Sequence, residues 1–258
     1  MQEGKRQKAK GKRQKLQNSD TLCLLVSDAA RRYRLACIFT FCFLPFAFCL
    51  APTPVGSAQP GWSVYYKFEN KRFYVPMMEI DLAADGTGEV RFQRGESDDV
   101  LDHKFKLLPA TLARIRQLFE VTRFIDASDD YQADKDFSHL GWMTLALRQN
   151  GRERKARFNY TQNDDIKELA EIFRGIATEE IHLFDIETSE QYQPLDLPRL
   201  LDAIDNDLRL QRITEPARLL AKLQEVATSP TQPLIASNHA ARIVSDIKKG
   251  KYKTTMRK

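Results

Sequence analysis

Cysteine is missing from residues 59–258 of this 258-residue chain; all four, Cys23, Cys37, Cys42 and Cys49, fall within the first 49. The cysteine-free part therefore has no disulfide, no thiolate metal site and no cysteine nucleophile. Histidine is scarce, at four residues. Local signatures of catalysis are missing too, with no GxSxG elbow, P-loop, GxGxxG after a strand, HExxH or CxxC. There is no basic surplus for nucleic acid in the bulk of the chain. The net charge of +5 arises in residues 1–58, whose 10 Lys/Arg and 3 Asp/Glu give +7, whereas residues 59–258 stand at −2. What is present is ordinary: 42% hydrophobic and 29% charged residues. That balance excludes a disordered, collagen-like or multi-span membrane protein, and the length suits one domain or two small ones.

Leu35–Ala51 is a seventeen-residue, largely apolar stretch without a charge, preceded by Arg31, Arg32 and Arg34 and followed by Pro52-Thr53-Pro54-Val55-Gly56-Ser57-Ala58. A basic start, an apolar middle and a small-residue end describe a secretory signal peptide. Gly56 and Ala58 suit a signal peptidase, so cleavage is expected between Ala58 and Gln59. The alternative is an uncleaved anchor helix over 35–51, short for a membrane span and interrupted by Pro45. Either way residues 59–258 are expected outside the cytoplasm, periplasmic or secreted. Phe41 and Phe48 precede Cys42 and Cys49, which argues against lipid attachment. Residues 1–34 read as a basic, disordered region whose Lys5–Lys15 run has two readings. It is a cytoplasmic tail touching lipid or nucleic acid, or translation starts at Val26 and the run is not made.

Aromatic residues divide the remainder: 59–192 hold 18 Phe, Tyr and Trp, and 193–258 hold one, Tyr252. Period-two alternation predicts strands over Ser63–Phe68, Met77–Ala83, Glu89–Arg94 and His103–Leu107, with Asp85-Gly86-Thr87-Gly88 as a hairpin turn. A helix is expected over Pro109–Phe124, then an acidic loop Asp126–Asp136. A second hairpin, Trp142–Leu147 and Arg154–Phe158, turns at Asn150-Gly151. Asn163 and Asp164 are placed to cap a helix carrying Ile166, Leu169, Ala170, Phe173 and Ile176. This predicts an α+β domain over 59–192, an antiparallel sheet of five to six strands with helices on one face. A helical subdomain follows over 193–248, with helices at Pro198–Leu208, Pro216–Ala227 (Thr214 a cap candidate) and Leu234–Lys248. Residues 249–258 read as a basic, flexible tail.

The turn Asp85-Gly86-Thr87-Gly88 between two strands, then Phe105, then Leu112–Phe124, resembles an uncharacterised family of secreted bacterial domains of strand–strand–helix–hairpin–helix order. The resemblance spans about residues 75–180. It implies fold and location, and no activity.

Candidate chemistry is thin. His103, His139, His182 and His239 fall on four separate elements, with no HxH or HxxxH pair to share a metal. His139 stands out because Asp134, Asp136 and Ser138 are near it in sequence, the ingredients of a hydrolytic triad if geometry allows. The loop carboxylates Asp126, Asp129, Asp130, Asp134 and Asp136 are candidate calcium ligands, although their spacing does not match an EF-hand loop, and a solvated capping loop is the plainer reading. Asp81, Glu89, Asp98 and Asp99 supply carboxylates for a glycosidase pair, as any acidic chain does. Tyr65, Tyr66, Phe68, Phe73 and Tyr74 read as sheet core rather than an exposed stacking strip. Asn159-Tyr160-Thr161 matches a glycosylation acceptor.

The reading that unites these features is an exported, non-enzymatic binding or scaffolding module of the cell envelope, needing no cofactor. Its partner would be an envelope protein or an extracellular ligand. The alternatives are a hydrolase using His139 with an aspartate of Asp129–Asp136, and a calcium-stabilised adhesion-type module.

Overall fold

The computed structural model describes residues 61–252. The basic run, Val26, the apolar segment 35–51, the Ala58–Gln59 cleavage point and residues 253–258 lie outside them.

Alternation of apolar and polar residues builds one antiparallel sheet of six strands: β1 Ser63–Glu69, β2 Met77–Ala83, β3 Thr87–Phe92, β4 Leu101–Lys106, β5 Trp142–Gln149 and β6 Arg152–Phe158. Their order is β4-β3-β2-β1-β5-β6, which puts the first strand in the middle. The register aligns the apolar residues in rows. Phe92, Met78, Phe68, Met143 and Phe158 form one, and Val90, Ile80, Tyr66, Leu145 and Ala156 the next. A one-residue slip would turn every one of them to solvent, so burial fixes the register.

The other face is a charge grid. One row runs Asp102, Arg91, Glu79, Lys67, Thr144, Arg157. Arg91 reaches Glu79, Asp81 and Glu89, and Lys67 reaches Glu69 and Glu79. Burial chiefly, and Glu79 next, push the Tyr65 hydroxyl on this face up to about 12.

Two helices cover the apolar face, as expected for an α+β layer structure. Helix α1, Pro109–Val121, opens on a proline and buries Ile115, Leu118 and Phe119. It stops short of Phe124, whose ring is buried in the following turn and stacks on Tyr131. Helix α2, Asp164–Tyr192, is capped by the Asn163 side chain, which accepts from the N–H groups of Asp165 and Ile166. Its Phe173 stacks on Tyr66 at 5.4 Å and its Phe184 meets Phe92 edge-on. At 29 residues α2 is about 43 Å long, well beyond the stretch its sequence pattern marks.

Helices α3 (Leu197–Arg209), α4 (Leu219–Thr228) and α5 (Leu234–Lys248) form a second core around Leu201, Ile204, Leu223 and Ile243. Leu183 and Ile186 of α2 belong to this core, whereas Ile181 belongs to the sheet core. The division between the cores thus falls inside α2, not at Gln193-Pro194. The expected helix from Pro216 is a turn of 3₁₀ helix, Pro216–Arg218, followed by α4. Thr214 is not a cap for it: its hydroxyl donates to the Ile172 carbonyl at 2.9 Å. That approach depends on Gly175, where an added Cβ would sit 2.2 Å from the Thr214 hydroxyl. Past α5, Tyr252 folds back and donates its hydroxyl to Asp205 at 2.7 Å. Among the described residues no helix is long and apolar enough to cross a membrane.

Candidate functional site: an apolar pocket at the end of the sheet

At one end of the sheet the layers part into a cavity of about 240 Å³. Its walls come from separate segments: Phe73 of the β1–β2 loop, Leu140, Met143 of β5, Phe158 of β6, Tyr160 of the β6–α2 connection and Ala170 of α2. Lys167, Glu171 and Arg174 of α2 stand at the same cavity. Phe73 and Leu140, nearly half exposed, and Tyr160 leave apolar surface open to solvent, the usual mark of a binding site when it lines a concavity.

The local architecture is held firmly. Leu140 ends the 3₁₀ turn Ser138–Leu140, and Gly141 follows at φ +99°. A Cβ there would lie 2.7 Å from the Phe68 ring, so glycine lets the turn close on the sheet. Asn70 ties the β1–β2 loop to this turn by donating to the His139 carbonyl at 3.1 Å. Asn159 locks the acidic loop: its side-chain oxygen accepts from Gln132 and from the Phe137 N–H, and its amide donates to Asp136. It is 2% exposed, which leaves the Asn159 sequon no free amide. Above the cavity the Arg174 guanidinium lies 4.7 Å from the Phe68 ring centroid and 3.7 Å from the Met143 sulfur.

The sequence candidates fall around this pocket without forming a reaction centre. His139 is exposed, and its ring tilts against Phe137. Among the described residues no ion pair or hydrogen bond joins that ring to Asp134 or Asp136. Asp136 binds the Ser138 N–H and hydroxyl instead, an arrangement that shapes the turn and does not activate a nucleophile. Asp126 pairs with Arg152, Asp130 accepts from the Gln132 N–H, the Asp129 carbonyl accepts from Arg154, and Asp134 is exposed. The five loop aspartates do not converge: among the described residues no group of three His, Asp or Glu is placed to hold a metal ion. Asp81 and Glu89 face each other across β2 and β3 with Arg91 on both. The aromatic set divides: Tyr66 and Phe68 are core, whereas Phe73 and Tyr74 are exposed. Sequence reasoning placed Phe73 in the core, and the loop that carries it puts it at the pocket.

A second constellation went unseen in the sequence. Glu179, Glu180 and Glu215 are buried around a single guanidinium, Arg218, which lies 3.0 Å from Glu179 and 2.5 Å from Glu180. His103 of β4 approaches Glu180 at 2.7 Å, and Glu215 accepts from the Leu108 N–H at the head of α1. The Glu179–Arg218 contact is close but out of line for a hydrogen bond. Burial, more than any neighbour, pushes the Glu179 carboxyl well above its ordinary range, with Arg218 opposing. Burial also raises Glu215. The hydrogen bond to Glu180 raises His103. A readable signal did exist, since Glu180 stands four residues after Ile176 and seven after Phe173, on the apolar stripe of α2.

No protein-family model matches this chain, and no curated protein matches it.

Proposed function

We propose that residues 59–258 act outside the cytoplasm as a non-enzymatic binding module whose ligand site is the pocket between Phe73, Leu140, Met143 and α2. The observation that carries this reading is a preformed apolar cavity opening through exposed Phe73, Leu140 and Tyr160, on elements pinned by Asn70, Asn159 and Gly141. The Arg-flanked apolar run Leu35–Ala51 supports the location. The nearest imidazole, His139, has its ring turned to Phe137 rather than to a carboxylate, which favours binding over hydrolysis.

Two measurements test the halves of the proposal. N-terminal sequencing of protein from fractionated native cells is expected to find Gln59 first, in the soluble envelope or medium fraction. An intact chain in the cytosol would overturn export. For the pocket, the probe is the fluorescence of anilinonaphthalene sulfonate with the wild type and with Phe73→Ser/Leu140→Ser. Saturable binding lost in the variant, at an unchanged melting temperature, supports the site; equal binding by both proteins overturns it.

A further inference from the structure

We infer that the pocket takes a small amphiphilic carboxylate, an acyl body of about eight carbons seated in the cavity with its carboxylate at Arg174; this rests on the binding reading above. Size comes first. An apolar cavity of about 150 Å³ admits a benzene ring, so about 240 Å³ admits a short chain or a substituted ring and no more. The lining comes next: Phe73, Leu140, Met143 and Phe158 offer no directed polar contact, so the ligand's buried part is apolar. The head group is read from the rim. Arg174 has no carboxylate partner among the described residues, although 24 ion pairs form among them. Its guanidinium lies over the Phe68 ring with one nitrogen on the Met143 sulfur, and it faces the buried Tyr66 hydroxyl, so little rotamer freedom is lost when its remaining N–H donors bind a carboxylate.

The surrounding charges agree. Lys167 lies two helical turns before Arg174, also without a carboxylate partner among the described residues, and both line the cavity. Glu171 lies between them and opposes an anion, leaving a balance of one positive charge among the lining residues. Lys71 and Arg72, exposed on the loop that supplies Phe73, add to it. An amine head group would find one carboxylate against these cations, and a neutral one would leave Arg174 unused.

The test is calorimetric titration of the chain recovered from cells with octanoate, octanol and octylammonium, each below its micellar concentration. The three share one apolar body and differ in the head. Octanoate is expected to bind about tenfold more tightly than octanol, with octylammonium weakest. Arg174→Gln is expected to remove the preference for octanoate and leave octanol unchanged, because the cavity itself is intact. Octanol binding as well as octanoate, with Arg174→Gln silent, would overturn the carboxylate while leaving the pocket. Octylammonium binding best would overturn it in favour of Glu171. If Phe73→Ser/Leu140→Ser binds all three like the wild type, the pocket reading falls first.

Discussion

Glu179 sits where carboxylates outnumber cations, and its physics reduces to where one proton goes. Its folded-state affinity for that proton is raised above the unfolded value of 4.5. Stability from this group is therefore fully present below pH 4.5 and is lost as pH rises through the folded value. Glu215 and Asp185, both raised mainly by burial, act in the same sense. So does His103, whose contribution is complete below 6.5 and is lost as pH rises through its raised folded value. Glu79, Asp205 and Asp207 are lowered and matter only as pH falls below the ordinary carboxylate range. The protein should therefore weaken between pH 5 and pH 8. Glu179→Gln is expected to match the wild type at pH 5 and exceed it at pH 8 in urea midpoint. An equal shift at both values would mean that Glu179 is already ionised in the native state. Gly141 makes a second prediction. Alanine there meets the Phe68 ring and must adopt φ +99°, so Gly141→Ala should cost about 1–3 kcal/mol in urea unfolding.

Among the elements α2 carries the most, and its cap tests how far its start is set locally. Asn163→Ala removes the acceptor of two N–H groups and should cost about 1 kcal/mol, with Asn163→Asp restoring most of it. The cap was legible in the sequence, as were the six strands, because period-two alternation and glycine turns are local signals. The length of α2 was not. Beyond Ile176 its apolar stripe passes through Glu180 and Glu187, and a stripe with carboxylates in it reads as an ending helix. Those carboxylates are tolerated because Arg218 and His103 arrive from other elements, and no local pattern announces that arrival. The pocket was illegible for the same reason. Phe73, Leu140, Met143, Phe158 and Ala170 come from five stretches spread over about a hundred residues, and only the crossing from β4 to β5 brings them together. His139 attracted attention by proximity along the chain, which says nothing about where a ring points.

At the scale of the molecule the question is whether the helical part is an appendage or part of one folding unit. Residues 61–252 cluster as a single compact unit, and two contacts explain why the sheet layer needs the C-terminal helices. Leu183 and Ile186 bury their side chains in the second core, so ending the chain at Tyr192 would leave them in water. Arg218, 13% exposed at its side chain, is the cation that Glu179 and Glu180 share, and it lies beyond that same cut. A buried ion pair that loses one partner strands the other charge, at a cost of about 3–5 kcal/mol. Residues 59–192 alone should therefore lack a cooperative thermal transition, whereas 59–258 should unfold in one step with coincident near- and far-ultraviolet circular dichroism. Arg218→Met separates the electrostatic cause from the apolar one. It keeps most of the side chain's bulk, so its penalty should be largest at pH 8 and shrink at pH 5, where the stranded carboxyls take up protons. A penalty independent of pH would mean that Arg218 matters for its packing against Phe105. A fragment 59–192 that melts cooperatively would show that the sheet layer stands without its helices.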